Sequence, residues 1–361
     1  MKNRFTLLFV LLTGLAFAQI PANYYNNATG SGYTLKTQLY NIVKGHTDQG
    51  YDGLYVTYQT SDRDYYYEND GTILDMYSEN PSGTDPYNYG AGTSQRCGNY
   101  NSEGDCYNRE HIIPQSVFNE AAPMHNDAHF ITPTDGKVNG VRSNYPHGVV
   151  GNATFTSQNG SKLGPNKNSG YSAGYTGIVF EPIDEFKGDI ARMYFYFATR
   201  YQNVITTWGN AYAMFNGTTD QVFTTTFKNI LLQWNAQDPV SPREIARNNA
   251  VYARQGNRNP FIDHPEYINS IWGMPLATTD LEKLEYVSVY PNPSNDHKIR
   301  IETESELQTI ELINLNGQLV QKISKPNAEG HTYSVDNIPQ GFYLLKISSE
   351  NASVTKKVIV N

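Results

Sequence analysis

A change of hydrophobic pattern at about residue 278 constrains the fold of this chain most strongly. From about Leu281 onward, short segments alternate apolar and polar residues, as in Ile299-Arg300-Ile301 and in Gly341 to Ile347. Alternation of this kind, with turn residues between the segments, predicts a small all-β sandwich over residues 278–361. Thr278 to Lys283 is then a linker, and residues 19–277 form a separate domain.

The larger domain mixes strand and helix signals. Leu54 to Tyr58 reads as a short strand, and Glu68-Asn69-Asp70-Gly71 predicts a hairpin turn. Asp189 to Val204 instead has apolar residues at the spacing of one helix face. Ser241-Pro242-Arg243-Glu244 combines a serine N-cap, a proline at the first helical position and a glutamate that closes a capping box. These signals predict an α+β domain with several helices.

Residues 1–18 have the pattern of a secretory signal peptide. A basic start precedes an apolar run from Thr6 to Phe17, and Ala16-Phe17-Ala18 offers a small-x-small cleavage site. The alternative is an N-terminal anchor, but the run is shorter than a usual membrane span. We therefore expect an exported protein whose mature form has no membrane span. We also expect this protein to be a monomer. In an oxidising compartment, Cys97 and Cys106 are expected to form a disulfide.

The net charge of −8 limits the ways in which this chain can bind a polyanion. Most of this charge falls on residues 19–277, so we do not expect a broad basic face that releases many counterions, and the acidity argues weakly against DNA as a partner. Phosphate binding would need a local cluster of basic residues together with a metal cation.

Two neighbouring stretches carry candidate chemistry. Tyr107 to Ile113 predicts a strand that ends at Pro114, with Glu110 and His111 on opposite faces. A helix capped by Thr134 or Asp135 would place Asn139 and Arg142 on one face. A neutral histidine can accept a proton from water, and Mg²⁺ prefers oxygen ligands. From the residues alone, the Glu-His pair could equally be a structural hydrogen-bonded pair.

These stretches, Arg109 to Pro114 and Gly136 to Asn144, resemble the motifs of the bacterial endonuclease I family. Stretches at Lys187 to Arg192 and at Arg258 to Glu266 are similar to others in that family, so the resemblance covers most of residues 25–273. It implies a ββα-metal (His-Me) finger core and a nonspecific endonuclease of DNA and RNA.

The resemblance also implies the roles of individual residues. His111 would be the general base, and Glu110 and Asn139 would hold one divalent metal, Mg²⁺ or alternatively Ca²⁺ or Mn²⁺. Some members of the family bind phosphate through an arginine between the two motifs, but residues 112–141 contain none. Arg142 is our first candidate for this catalytic role and Arg109 the second. The alternative for Arg142 is a structural salt bridge, for example with Asp135.

The predicted sandwich resembles the C-terminal sorting domain of type IX secretion cargo. The matching motifs are Val289-Tyr290-Pro291-Asn292-Pro293, Leu315-Asn316-Gly317, Pro339-Gln340-Gly341-Phe342-Tyr343 and Lys356-Lys357-Val358-Ile359-Val360. The resemblance implies passage through the periplasm to the cell surface or medium, with the type IX machinery as a partner. The alternative is an accessory ligand-binding sandwich.

Two other pairs of residues are weaker candidates for a functional site. His125 and His129 have the spacing of a zinc protease motif, but Asn126 stands where the catalytic glutamate would be. Asp263 and His264 could cap a turn, form a structural pair or hold a second metal. Two rival functions remain: a catalytically inactive surface or matrix-binding protein, and a nuclease that acts mainly on RNA.

We predict that the secreted product begins near Gln19 and ends near Leu281, because the segment at each end of the chain has the pattern of a targeting signal that is removed. Intact mass spectrometry of the culture supernatant measures both ends. A secreted product that retains Asn361 would contradict the sorting-domain interpretation.

Overall fold

The computed structural model describes residues 20–273, 287–314, 318–349 and 352–361. It divides into two compact units, the first of which ends at Gly273. The predicted signal peptide, the linker from Thr278 to Lys283 and the turn at Asn316-Gly317 lie outside the described residues.

The first unit combines helices with two small antiparallel sheets. Its helices are α1 (Gly32–Val43), α2 (Gly53–Ser61), α3 (Gly136–Arg142), α4 (Lys187–Arg200), α5 (Thr225–Gln237), α6 (Pro242–Gln255), α7 (Pro260–Asp263) and α8 (Glu266–Trp272). Its strands are β1 (Tyr107–His111), β2 (Ile131–Asp135), β3 (Phe155–Thr156), β4 (Lys162–Pro165) and β5 (Ile178–Glu181). β1 pairs with β2, and β4 lies between β3 and β5. This confirms the predicted α+β class.

The β1-β2-α3 segment has the strand-strand-helix order that the motifs predicted. Glu110 lies opposite Thr132 in the antiparallel pair, and α3 follows β2 without a connecting loop. The Asp135 carboxylate caps α3 by accepting a hydrogen bond from the backbone N–H of Val138 at 2.7 Å. The helix that carries Asn139 and Arg142 is therefore fixed directly to the end of β2.

Helix α4 forms the centre of the first unit. The sequence predicted one buried face, but every residue from Lys187 to Arg200 is buried. Its charged residues are tolerated there because they are paired. Arg192 binds the Glu244 carboxylate through two hydrogen bonds of 2.6 and 2.7 Å, and Asp189 pairs with Arg243.

The predicted strand from Leu54 to Tyr58 is wrong, because these residues belong to helix α2. Leu54, Tyr55 and Tyr58 are buried together, which is the spacing of a helix face. A short apolar run does not distinguish strand from helix by periodicity alone. The predicted hairpin is reduced to a turn: Asn69 and Gly71 adopt the left-handed conformation, and a single bridge joins Arg63 to Ile73.

The predicted capping box of α6 is confirmed. The backbone N–H of Glu244 donates to Ser241 Oγ at 3.2 Å, and the backbone N–H of Ser241 donates to the Glu244 carboxylate at 3.0 Å. Gly256 ends the helix in the left-handed conformation, with φ of 80°.

The predicted Cys97–Cys106 disulfide is also present. It packs against the start of α3, where the backbone N–H of Gly136 donates to the Cys106 carbonyl at 2.8 Å. A Cβ atom at Gly136 would overlap the Cys97 sulfur, and one at Gly140 would lie 2.5 Å from the Tyr100 hydroxyl. These two glycines therefore allow the disulfide loop to approach the helix.

The second unit is all-β, as predicted. Its strands are β6 (Ser288–Tyr290), β7 (Ile299–Glu302), β8 (Thr309–Asn314), β9 (Leu319–Ser324), β10 (Thr332–Val335), β11 (Gly341–Ser348) and β12 (Ser353–Val360). They form two antiparallel sheets in the orders β10-β7-β6 and β12-β11-β8-β9, which share one apolar core. None of the described helices, in either unit, is long and apolar enough to cross a membrane.

We predict that Ser241→Ala lowers the free energy of unfolding of the first unit by about 1 kcal/mol, because it removes the N-cap hydrogen bond. Urea denaturation followed by tryptophan fluorescence measures this, since Trp208, Trp234 and Trp272 all lie in the first unit. Thr224→Ala is the matched control, because Thr224 is the N-cap residue of α5 but makes no side-chain cap bond. An equal loss in both variants would contradict the capping-box argument.

Candidate active site

The four predicted site residues line one cavity that is open to solvent. It lies where the end of β1 meets α3, and its wall is formed by Tyr51, Asn108, Arg109, Glu110, His111, Gln115, Asn139, Gly140, Arg142, Ser143 and Asn144. Two motifs separated by a connection of more than twenty residues thus converge because β1 pairs with β2 and α3 follows β2 directly.

Glu110 is a buried carboxylate with one engaged oxygen. Its Oε1 accepts a hydrogen bond from the Tyr77 hydroxyl at 2.9 Å and forms an ion pair with Arg142 Nη1 at 3.0 Å. Burial raises the pKa of Glu110, whereas Arg142 and Tyr77 oppose that shift. Glu110 Oε2 bonds to no residue in the described part of the chain, so it is available as a ligand for a cation.

The imidazole of His111 is held in one tautomer by the backbone. Its Nε2 lies 3.3 Å from the carbonyl oxygen of His125. Because a carbonyl only accepts, Nε2 must carry the proton, and Nδ1 is then left with a free lone pair. Burial lowers the pKa of His111 to about 3, so the ring is neutral at physiological pH. A neutral ring with a free Nδ1 can act as a base.

Asn139 completes an oxygen-rich wall. Its Nδ2 donates to the Arg109 carbonyl at 3.5 Å, which orients the side-chain amide. Asn139 Oδ1 accepts no hydrogen bond within residues 20–273 and, like Glu110 Oε2, is a free oxygen in the wall of this cavity. A carboxylate and an amide oxygen are hard donors, so this pair fits a divalent ion of the magnesium or calcium type.

Arg142 has no donor left for a phosphate. Its side chain is 1% exposed. Its N–H groups reach five acceptors at 2.6–3.4 Å, namely the carbonyl oxygens of His111, Ile112 and Tyr145, the Tyr212 hydroxyl and the Glu110 carboxylate. The structure therefore gives no support to direct phosphate binding by Arg142.

Asp135, the salt-bridge partner that the sequence suggested for Arg142, is the wrong one. Its carboxylate instead accepts hydrogen bonds from the Tyr89 hydroxyl at 2.6 Å and from the backbone N–H groups of Gly104 and Val138. The salt bridge of Arg142 is made with Glu110.

Arg109 is the basic residue with partial access to the cavity. Its guanidinium lies over the Tyr51 ring, 3.4 Å from the centroid, and pairs with Asp52 at 3.0 Å. Its side chain is 14% exposed, whereas Asp52 is almost fully exposed. Neighbouring residues on a strand normally point to opposite faces, so alternation predicts Arg109 on the face opposite Glu110. In the structure, however, both residues line the same cavity.

A buried network behind β1 was not predicted. The Tyr77 hydroxyl bridges Glu110 and His147 Nε2, the latter at 3.0 Å, and His147 Nδ1 lies 2.8 Å from the Tyr194 hydroxyl. Tyr194 also donates to the Ile112 carbonyl at 3.0 Å. The abundance of tyrosine was the only sequence signal for this network, because its members come from distant parts of the chain.

The histidine pair is not a zinc site. His125 stacks on Tyr51 with 4.0 Å between ring centroids, and its Nε2 lies 3.1 Å from Gln115 Oε1. His129 is buried, with Nε2 2.9 Å from the Asn257 carbonyl, as expected for a structural histidine.

Asp263 and His264 are likewise engaged in structural contacts. Asp263 forms an ion pair with Arg258 at 2.6 Å and accepts a hydrogen bond from the Tyr25 hydroxyl. His264 Nδ1 lies 3.0 Å from Glu266. A second metal at this pair therefore has no support.

We predict that Arg142→Ala destabilises the first unit by about 3–5 kcal/mol, because Glu110 would be left as an uncompensated buried charge. Chemical denaturation measures the loss. Arg109→Ala is the matched control, since its ion-pair partner is exposed and an exposed pair contributes at most about 1 kcal/mol. Equal stability of Arg142→Ala and wild type would show that the ion pair is not a structural support.

Comparison with known proteins identifies the family of each unit. Endonuclease I matches residues 31–266, and the secretion system C-terminal sorting domain matches residues 288–361. Extracellular ribonucleases of Bacillus amyloliquefaciens and Bacillus subtilis (strain 168) are each 34% identical over 261 residues, covering 69% of this chain and 78% of theirs. Endonuclease-1 of Buchnera aphidicola subsp. Baizongia pistaciae is 28% identical over 136 residues, 38% of this chain and 45% of its own.

The first unit thus matches nucleases over most of its length, and the second matches a domain that directs secretion. The protein is therefore secreted or located at the cell surface. The chain belongs to the Endonuclease I family and is a nuclease that carries a C-terminal sorting domain.

Proposed function

We propose that this protein is a metal-dependent, nonspecific endonuclease that hydrolyses phosphodiester bonds in DNA and RNA outside the cytoplasm. The observation that carries this proposal is the convergence of an unprotonated His111 Nδ1 with two free oxygens, on Glu110 and Asn139, in one open cavity. A base beside a pair of hard ligands is the donor set that hydrolysis of a phosphodiester needs.

His111 is proposed as the general base. The attacking water would lose a proton to Nδ1 while Nε2–H remains bonded to the His125 carbonyl, so the ring would not turn as it becomes charged. Burial opposes the charged, imidazolium form of His111. The protonated ring would therefore release its extra proton readily to another group. The exposed side of the cavity provides the route to solvent.

Glu110 and Asn139 are proposed as the metal ligands. A divalent ion held by them would neutralise negative charge that develops on the phosphate and the leaving oxygen. Arg142 and Tyr77 favour the ionised form of Glu110 against the effect of burial, which raises its pKa, and the Arg109 carbonyl orients the Asn139 amide. We propose Mg²⁺ as the physiological ion, with Ca²⁺ or Mn²⁺ as alternatives.

The two arginines take different roles in this proposal. Arg142 positions Glu110 and the carbonyl oxygens at the end of β1, and so acts through other groups. Arg109 is the proposed phosphate partner, because exchanging the exposed Asp52 for a substrate phosphate would cost little. This reverses the order of candidates that the sequence suggested.

The names of the relatives agree with RNA as one of the proposed substrates. Two of them are named as ribonucleases and one as an endonuclease. The remaining rival within the enzyme class is an enzyme that acts mainly on RNA. Initial rates on single-stranded DNA and RNA of the same length would discriminate, since the broad enzyme cleaves both.

We predict that His111→Ala lowers turnover by about 10²- to 10⁴-fold, because the general base is lost. Glu110→Gln and Asn139→Ala are expected to raise the Mg²⁺ concentration needed for half-maximal rate. Cleavage of supercoiled plasmid and of RNA, with and without EDTA, measures these effects.

His264→Ala is the matched control, since its ring contacts Glu266 and lies outside the cavity wall. Turnover of His111→Ala within twofold of wild type would end the proposed mechanism, and EDTA-resistant cleavage would end the metal assignment. No cleavage by the wild-type protein under any of these conditions would favour the inactive, surface-binding alternative.

A further inference from the structure

A group of carboxylates outside the catalytic cavity lies in the segment between α2 and β1. Asp64, Glu68 and Glu79 each offer one oxygen, and these three oxygens lie within 4.8 Å of one another. Two oxygens bound to the same Ca²⁺ at about 2.4 Å are at most about 4.8 Å apart, so the three could share one ion. They come from either side of the turn at residues 69–71.

Buried and unpartnered oxygens provide the second observation. Asp64 and Glu79 are each 1% exposed. Asp64 Oδ2 and Glu79 Oε1 have no hydrogen-bond partner among the described residues. The other Asp64 oxygen, Oδ1, accepts hydrogen bonds from the backbone N–H groups of Tyr66 and Tyr67. A buried carboxylate oxygen that lacks a partner is unfavourable, and such atoms in a native fold call for a ligand.

The protein supplies no cation of its own to these carboxylates within the described residues. Arg63, the nearest basic residue in sequence, donates its Nε to the Gly71 carbonyl at 2.7 Å. Ionised carboxylates as close as these repel one another, and a bound cation would offset that repulsion.

We propose that Asp64, Glu68 and Glu79 form a second metal site that binds Ca²⁺ and holds this segment together. The ligands are all oxygens, with no histidine or cysteine, which selects a hard ion. Ca²⁺ accepts irregular oxygen cages of six to eight ligands, and water would complete the set on the side of the exposed Glu68. The site does not depend on the assignment of the catalytic metal.

The location of the site gives it a role in supporting the catalytic cavity. Two residues before Glu79, Tyr77 donates its hydroxyl hydrogen bond to Glu110. Asp75 Oδ2 accepts a hydrogen bond from the backbone N–H of Asp135, the residue that caps α3. A cation that joins Asp64 to Glu79 would thus fix the segment on which both Glu110 and α3 rest.

The test compares melting temperature and bound Ca²⁺ in the full chain, in an Asn139→Ala background that removes a proposed catalytic ligand without breaking the buried Arg142–Glu110 pair. With Ca²⁺ at a hundred times its dissociation constant, we expect melting to rise by about 5–10 °C relative to EDTA. Equilibrium dialysis should find one bound Ca²⁺. Adding Glu79→Gln should abolish both the shift and the bound ion.

In EDTA the same variant should behave differently. Glu79→Gln removes one of the carboxylates that repel one another, so without Ca²⁺ it should melt at or above the temperature of its parent. This sign separates loss of a site from general damage. Glu185→Gln is the matched control, because Glu185 is a nearby exposed carboxylate that accepts a hydrogen bond from Tyr67 but lies outside the cluster. Glu68→Gln, at an exposed position, should weaken Ca²⁺ binding without affecting folding.

An unchanged Ca²⁺-dependent shift in Glu79→Gln would overturn the proposal. The proposal would also be overturned if the parent showed neither a Ca²⁺-dependent rise in melting temperature nor a bound Ca²⁺. That result would mean that the carboxylates share protons instead of a cation. Neither result bears on the nuclease assignment, which is measured separately by plasmid cleavage with Mg²⁺ in the chain that retains Asn139.

Discussion

The ion pair between Arg142 and Glu110 joins the last turn of α3 to the end of β1 inside the protein. Two buried charges are stable together only when their remaining hydrogen-bonding groups are also satisfied. Arg142 meets that condition through three backbone carbonyls and a tyrosine hydroxyl. Because two of these carbonyls belong to His111 and Ile112, the same guanidinium fixes the strand end that carries the proposed base.

The cavity at the end of β1 therefore consists of two layers with different chemistry. The inner layer of Arg142, Tyr77 and His147 is buried and hydrogen-bonded, and its contacts with Glu110 fix the orientation of that carboxylate. The outer layer leaves free atoms on Glu110, His111 and Asn139 toward solvent. Because the inner layer is held by buried contacts, the exposed side of the cavity can stay open without loss of the geometry behind it.

The sequence predicted the features that depend on local chemistry. The capping box at Ser241, the N-cap at Asp135 and the Cys97–Cys106 disulfide each rest on residue types at short spacing. It failed where tertiary packing overrides local pattern: Leu54 to Tyr58 is helical because its buried face packs into the core. The partner of Arg142 could not be predicted, because Glu110 is distant in sequence and reaches it only through the pairing of β1 with β2.

The contact between the disulfide and α3 links the chemistry of the site to the compartment in which the protein matures. The Cys97–Cys106 loop packs on Gly136 and Gly140, at the base of the helix that presents Asn139. Disulfides form after export and not in a reducing cytoplasm. Inside the producing cell the chain thus lacks a covalent brace beneath α3, the helix proposed to carry a metal ligand. The brace forms only after this nuclease has left the compartment that holds the cell's own nucleic acids.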